Sequence, residues 1–143
     1  MERRDFIKKS CGICAVMGSG IALSAFLQAC KTAGGIIKTT AQNNIIHIPL
    51  AEFSTLPFKL LRIKNYNYDM AIQKHEDGSF TILQLACTHT GHPLTKTGEN
   101  YYCTMHGSRF SHEGMVLKGP AEMPLRQIKY VIDKSNLTFV LPA

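Results

Sequence analysis

From residue 45 onward, the chain is built of short runs of apolar and β-branched residues that are separated by turn-forming residues. No segment in this part keeps the 3.6-residue apolar period of an amphipathic helix. Residues 75–78 read His-Glu-Asp-Gly, and Asp-Gly is typical of a tight turn because glycine tolerates positive φ. The predicted strands cover residues 45–50, 58–66, 68–74, 80–86, 114–118, 125–133 and 137–141. The pattern predicts an all-β fold, a small antiparallel β-sandwich or barrel, with helix only in the N-terminal segment.

The composition fits one folded domain with a short additional segment. The chain has 143 residues, of which 45% are hydrophobic and 18% are charged. These values are typical of a globular protein and exclude a disordered chain or a fibre. The net charge of +6 is spread along the chain rather than concentrated in a basic run. Nucleic acid is therefore not an expected partner.

Residues 1–30 are predicted to be an export signal or membrane anchor rather than part of the fold. The pair Arg3-Arg4, followed by Phe6-Ile7-Lys8, resembles a bacterial twin-arginine export signal. Residues 10–29 then contain no charged side chain, as expected for the apolar region of such a signal. An ordinary signal anchor with a basic flank is the alternative.

The end of this segment, Leu27-Gln28-Ala29-Cys30, resembles a bacterial lipobox in which Cys30 is lipidated and becomes the mature N-terminus. Without processing, the apolar stretch is long enough to cross a bilayer. Both interpretations attach the protein to a membrane of the bacterial cell envelope, with the basic flank inside and the rest on the periplasmic face. Residues 31–44 are mostly polar and are predicted to be a flexible tether. The folded domain is then predicted over residues 45–143.

Two cysteine–histidine pairs provide the candidate metal ligands. After the N-terminal segment, the chain reads Cys-Thr-His and, thirteen residues later, Cys-Thr-Met-His. Each pair follows the end of an apolar strand, so a rigid element positions two side chains at each turn. The candidate ligands are Cys87, His89, Cys103 and His106. These are metal-ligand spacings, and two Cys with two His also suit a structural zinc site.

Longer segments around these pairs resemble the Rieske iron–sulfur family. Residues 87–94 read CTHTGHPL, and residues 103–110 read CTMHGSRF. Residues 119–125 read GPAEMPL and are similar to the third loop of that family, which includes Gly119 and Pro120 here and covers the cluster. The resemblance extends over about residues 45–142. It implies a Rieske-type antiparallel β-sandwich with two cluster-binding loops.

The resemblance also implies one [2Fe–2S] cluster per chain. By this resemblance, Cys87 and Cys103 would bind one iron, and His89 and His106 would bind the other. Replacing two thiolates with neutral imidazoles raises the reduction potential into a range of about −150 to +300 mV. Exposed imidazoles can gain or lose protons as the charge of the cluster changes, and this coupling suits the oxidation of a quinol.

Residues around the ligands are expected to tune the potential. High-potential members of the family carry one additional Cys in each loop, and these two form a disulfide. Here the corresponding positions are His92 and Met105, and we expect His92 to control solvent access beside the cluster. Ser108 matches a serine that donates a hydrogen bond to a bridging sulfide, whereas Phe110 stands where those members have a tyrosine. An intermediate potential is the resulting expectation.

The predicted function is one-electron transfer by a membrane-tethered protein without a substrate site of its own. The expected partner is a respiratory quinol-oxidising complex of the cytochrome bc type, with a cytochrome b or c, and quinol itself, as redox partners. One alternative is a small electron-transfer subunit of another periplasmic oxidoreductase. The other is a structural zinc-binding module. A Rieske-type oxygenase is excluded on length, because 143 residues leave no room for its catalytic domain.

Overall fold

The computed structural model describes residues 35–142, and strands dominate this part of the chain. The predicted signal over residues 1–30, with Cys30, lies outside the described residues. The strands in chain order are β1 (Gly35–Thr39), β2 (Ile45–Pro49), β3 (Phe58–Ile63), β4 (Met70–Lys74), β5 (Phe80–Gln84), β6 (Thr95–Thr97), β7 (Asn100–Tyr102), β8 (Arg109–Phe110), β9 (Val116–Lys118), β10 (Tyr130–Asp133) and β11 (Asn136–Val140). A short 3-10 helix, Leu50–Phe53, follows β2. The predicted all-β class is confirmed.

Three small sheets make up the described fold. The first has the order β1-β3-β4-β5, the second β10-β11-β2, and the third β6-β7-β8-β9. All neighbouring strands are antiparallel except β1, which is parallel to β3. The predicted turn between β4 and β5 is present, with Gly78 at φ +82° and a hydrogen bond of 2.8 Å from the His75 N–H to the Ser79 carbonyl.

Strand β1 corrects the predicted tether over residues 31–44. Residues 35–39 pair along β3 in a continuous register, from Gly35 opposite Lys59 to Thr39 opposite Ile63. Ile37 packs against the core, whereas Ile36 is 48% exposed. An edge strand gains its hydrogen bonds from one neighbour and has one face in solvent, so it can form from a largely polar sequence. The tether prediction fails for this stretch for that reason.

A first hydrophobic core lies between the first and second sheets. It contains the aliphatic residues of β2, β3 and β11, together with Ile72 of β4 and Ile82 of β5. Phe80 stands edge-on to Phe53, with ring centroids 5.1 Å apart, and edge-on to Tyr130 at 5.9 Å. The predicted strand over residues 125–133 is regular only at its end, and residues 125–129 form isolated hydrogen bonds with β5 instead.

A second core lies against the third sheet and reaches the predicted ligand loops. Ala71 and Leu83 enter it from the first sheet, and Tyr101 and Phe110 enter it from the third. Strands β4 and β5 therefore bury one face in each core. This double burial explains why residues 80–86 are nearly all apolar, as expected for a strand covered on both sides.

Candidate metal centre

The two predicted ligand loops adopt the same turn. We call residues 87–92 the first loop and residues 103–108 the second loop. In each, the N–H of the first cysteine donates to the carbonyl of the residue five positions later. The distances are 2.8 Å from Cys87 to His92 and 2.9 Å from Cys103 to Ser108. The two loops therefore share the same backbone hydrogen bond, although their ligand spacings, Cys-x-His and Cys-x-x-His, differ.

A glycine at the fifth position closes each turn. The carbonyl of Cys87 accepts the N–H of Gly91 at 2.7 Å, and the carbonyl of Cys103 accepts the N–H of Gly107 at 3.0 Å. The φ angles are +69° at Gly91 and +82° at Gly107, in the left-handed region that favours glycine. These bonds satisfy the cysteine carbonyls locally and hold both turns tight around the thiols.

The two thiols lie inside the second core. Cys87 is 1% exposed and Cys103 is fully buried, and both are free cysteines. Burial pushes the pKa of the Cys103 thiol upward, but backbone N–H groups of His106 and Met105, with the Cys87 thiol, lower this pKa below its ordinary value. Hydrogen bonds that favour the thiolate also favour metal binding, because the thiolate is the form that ligates metals.

The two predicted histidine ligands lie on the surface. His89 and His106 are exposed, and their ring centroids are 5.1 Å apart with the planes at 89°. This separation lets both rings reach a single ion, because metal–imidazole bonds are about 2.1 Å long. The structure thus places the predicted ligands as a buried pair of thiols and an exposed pair of imidazoles, with one member of each pair from each loop.

A zinc site and a two-iron cluster make different demands on these two pairs. A Cys₂His₂ zinc site needs all four side chains around one ion, with bonds of about 2.0–2.3 Å. Among residues 35–142, no three Cys, His, Asp or Glu side chains converge closely enough to hold a single metal ion. A cluster of two irons needs one pair at each iron instead, and the separate pairs fit that requirement.

The predicted third loop, residues 119–125, covers the other two. Its Ala121 N–H donates to the Ser108 Oγ of the second loop at 3.0 Å. The Thr88 Oγ1 of the first loop donates to the Met123 carbonyl at 2.7 Å. Gly119 and Pro120 are exposed, whereas Ala121 is buried, so the loop is anchored by its centre.

The residues expected to tune the potential occupy three different environments. Ser108 is fully buried, and accepting the Ala121 N–H leaves its own hydroxyl proton available to donate. Phe110 is fully buried in the second core, opposite Tyr101 of β7. His92 is half-buried, and its Nε2 lies 3.4 Å from the Thr104 Oγ1 of the second loop.

Two threonines at this site were not predicted from the sequence. Thr88 and Thr104 each follow a ligand cysteine, and each uses its hydroxyl to contact another loop. The shared Cys-Thr start of the two motifs is the signal that could have identified them. Tyr68 was also missed, and its hydroxyl lies 3.6 Å from the position that a Cβ on Gly91 would take.

No helix within residues 35–142 has the length and apolar character needed to cross a membrane. The predicted anchor segment lies outside these residues.

Comparison with known proteins connects this geometry to one family. Residues 47–129 match the Rieske [2Fe-2S] domain. The cytochrome b6-f complex iron-sulfur subunit of Chlorobaculum thiosulfatiphilum is 26% identical over 138 residues, covering 95% of this chain and 74% of the relative. The mitochondrial Rieske subunit of the bovine cytochrome b-c1 complex is 31% identical over 72 residues, covering 48% of this chain and 26% of the relative.

A solved structure shows the same fold. The plasma membrane Rieske protein of Synechocystis PCC 6803 superposes with a TM-score of 0.50 at 20% identity, covering 68% of this chain and 99% of that one. The family match covers more than half of the chain, from β2 to the segment before β10. This protein belongs to the Rieske [2Fe–2S] family.

Proposed function

We propose that this protein transfers single electrons through a [2Fe–2S] cluster held by Cys87, Cys103, His89 and His106, as a subunit of a membrane quinol-oxidising complex. The observation that carries the proposal is the separation of the ligands into a buried thiol pair and an exposed imidazole pair. When bound, the cluster accepts and returns one electron. The remaining chemistry belongs to the side chains around it.

The exposed imidazoles suit coupled electron and proton transfer. A histidine that binds metal through one ring nitrogen keeps the other nitrogen to hold or release a proton. His89 and His106 are both exposed, so these nitrogens can meet a partner or a quinol directly. The buried thiols, in contrast, keep water away from the other end of the site.

Two exposed methionines support a contact surface around these imidazoles. Met105 precedes His106 and is 61% exposed, and Met123 is 68% exposed. The Met123 carbonyl accepts the Thr88 hydroxyl next to His89, so both methionines stand beside the imidazole pair. Exposed methionine is an adaptable apolar surface and favours contact with a hydrophobic ligand or partner protein.

Membership in a quinol-oxidising complex is supported by the relatives. Two Chlorobaculum proteins that match 95% of this chain are named as iron-sulfur subunits of the cytochrome b6-f complex, at 26% and 25% identity. The alternative, a small electron-transfer subunit of another periplasmic oxidoreductase, is favoured by Phe110, which has no hydroxyl to donate to a cysteine sulfur, and by His92 and Met105 in place of a cysteine pair.

We further propose that residues 1–30 direct export and that Cys30 or the apolar segment attaches the protein to the outer face of the membrane. The absence of charge over residues 10–29 and the Leu27–Cys30 motif support this. Labelling cells with radioactive palmitate tests it. Label is expected on the wild type and absent from Cys30→Ala. Label on neither chain, with both in the membrane fraction, would favour the uncleaved anchor.

Spectroscopy of the full chain tests the cluster itself. After reduction by dithionite, we expect a rhombic EPR signal of mixed nitrogen and sulfur ligation, with about two irons and two sulfides per chain. His106→Ala and Cys103→Ser should each abolish this signal. An EPR-silent preparation that holds zinc would overturn the proposal and leave a structural metal site.

Potentiometric titration distinguishes the two electron-transfer roles. We expect a wild-type potential between those of quinol-oxidising and ferredoxin-like members, within the range of about −150 to +300 mV. Phe110→Tyr adds a hydroxyl near the cysteine sulfurs and should raise this potential. Rapid reduction of the cluster by a ubiquinol or menaquinol analogue in membranes would support the quinol-oxidising role. Reduction only by a soluble donor would support the alternative.

A further inference from the structure

The three loops of the metal centre are joined by a closed ring of hydrogen bonds. Thr88 links the first loop to the third through the Met123 carbonyl at 2.7 Å. Ser108 links the second loop to the third through the Ala121 N–H at 3.0 Å. The ring is closed by the contact between His92 of the first loop and Thr104 of the second at 3.4 Å.

The His92–Thr104 contact joins the two ligand-bearing loops directly, without passing through the third loop. Apart from the thiols of Cys87 and Cys103, the described residues contain no other side-chain hydrogen bond that runs between these two loops. Both cysteines are free, so no covalent bond joins the loops within residues 35–142. Among residues 35–142, the His92–Thr104 contact is thus the one side-chain hydrogen bond between the two loops that involves no ligand residue.

Both ends of this contact are fixed close to a ligand cysteine. The carbonyl of His92 accepts the Cys87 N–H at 2.8 Å, and Thr104 follows Cys103 directly. A hydroxyl both donates and accepts, so the contact with the His92 Nε2 forms with either tautomer of the ring. Any movement that separates the two loops therefore stretches this hydrogen bond and separates the members of each ligand pair at the same time.

We propose that His92 is a positioning residue whose imidazole fastens the first loop to Thr104 and so holds the two ligand pairs at the separation that retains the cluster. This inference rests on the proposed function, because the retained group is the cluster of that site. Each iron would take one ligand from each loop, so any separation of the loops strains the bonds at both irons. Fastening the loops directly slows that separation.

The rate of cluster loss from the full chain tests this role. Dithionite-reduced protein is mixed with a ferrous-iron chelator, and the release of iron is followed by absorbance. Removing this hydrogen bond, which is long at 3.4 Å, should accelerate the release about two- to threefold in Thr104→Val and in His92→Leu. Thr104→Ser keeps the hydroxyl and should stay close to the wild-type rate. Thr90→Val, which removes an exposed hydroxyl of the first loop with no hydrogen-bond partner among residues 35–142, is the matched control.

A double variant separates a direct contact from two independent effects. If His92 and Thr104 act through one bond, the double variant should lose iron no faster than either single variant. Multiplied effects in the double variant, or equal rates for Thr104→Val and Thr104→Ser, would overturn the inference.

Hydrogen exchange in the cluster-free chain supplies a readout that does not depend on bound iron. The Gly91 and Gly107 amides, which close the two turns, should exchange faster in Thr104→Val than in Thr104→Ser. If the wild type binds no cluster, the proposed function fails, and this exchange still tests the contact. A wild type that binds the cluster, with unchanged exchange and release rates in the variants, refutes the inference alone.

Discussion

Two regions of this molecule are stabilised in different ways. The base region, formed by the first two sheets, has strands of four to six residues around an aliphatic and aromatic core. The cluster-binding region, formed by β6–β9 and the three loops, has strands of two or three residues, and its core includes two free thiols. Apolar burial accounts for the base region. The stability of the cluster-binding region depends also on hydrogen bonds between its loops and on the group that its ligand side chains bind.

The two regions share β4 and β5, whose alternating side chains enter one core or the other. Ile72 and Ile82 belong to the core of the base region, and Ala71 and Leu83 belong to that of the cluster-binding region. The first loop follows β5 in the chain. Because strands are rigid relative to loops, the shared pair of strands fixes the position of this loop. Substitutions in the core of the base region should therefore change global stability. Substitutions in the cluster-binding region should in addition change the retention of the cluster.

The largest expected effect is a loss of stability in the base region. Leu61 is fully buried in its core. Leu61→Ala removes this buried side chain and leaves a cavity, so the free energy of unfolding should fall by about 2–5 kcal/mol. Denaturant titration measures this, and Val131→Ala at a site 66% exposed is the control that should change little. Below the unfolding transition, the EPR spectrum of Leu61→Ala should match the wild type, and a changed spectrum would contradict the separation of the two regions.

The next effect concerns pH and lies in the cluster-binding region. Burial raises the pKa of Tyr101 to about 12, while an unfolded tyrosine ionises near 10. The unfolded chain therefore loses this proton first as the pH rises, so stability that is present below pH 10 is lost as the pH approaches 12. The expected loss is about 3 kcal/mol over these two pH units.

Tyr101→Phe should remove this contribution. Denaturation of the wild type and of Tyr101→Phe at a series of alkaline pH values measures the difference between them. Above pH 10, the free energy of unfolding of the wild type should fall relative to that of the variant. Parallel curves for the two chains would show that the tyrosine hydroxyl reaches solvent.

Backbone conformation provides a smaller effect that compares two glycines directly. Gly107 has φ +82° and Gly98 has φ +59°, and a Cβ at either would meet no atom within 4 Å. Alanine at each position should therefore cost only the left-handed backbone term, about 1–2 kcal/mol. The two variants should lose similar stability in denaturant titrations.

Only Gly107→Ala should also accelerate the release of iron to a chelator. Gly107 closes the turn around Cys103, whereas Gly98 lies in the turn between β6 and β7. Equal release rates for the two variants would show that turn closure does not control cluster retention.

The smallest expected effect is a gain in stability on the outer face of the third sheet. Arg109 and Lys118 are directly opposite each other on β8 and β9, and both are exposed. Like charges at such positions destabilise a sheet, so Lys118→Glu should raise the free energy of unfolding by about 0.2–1 kcal/mol. The gain should disappear when Arg109→Ala is introduced as well, and a gain that persists would point to another charge.

Much of the fold was predictable because its strands carry a local signal. All seven runs predicted from composition and turn residues correspond to strands in the structure. The run over residues 125–133 is regular only over Tyr130–Asp133. The ligand pairs were identified from cysteine and histidine at metal-ligand spacings, and the third loop from its resemblance to the proline-containing loop of the Rieske family. Strands β6 and β8 were missed because two or three residues, most of them polar, show no periodicity, whereas β7 was expected as the strand end before Cys103. Strand β1 was missed because an edge position needs little apolar sequence.

The sequence by itself determined the all-β class, the two cysteine–histidine motifs and the proline-containing loop, because turn residues and ligand types act locally. Only the tertiary structure decided that the thiols lie inside and the imidazoles outside. Burial depends on which strands pack above each loop, and that packing joins residues far apart in the chain. For the same reason, the ring formed by Thr88, Ser108 and the His92–Thr104 contact appears only after folding, since each of its hydrogen bonds connects two different loops.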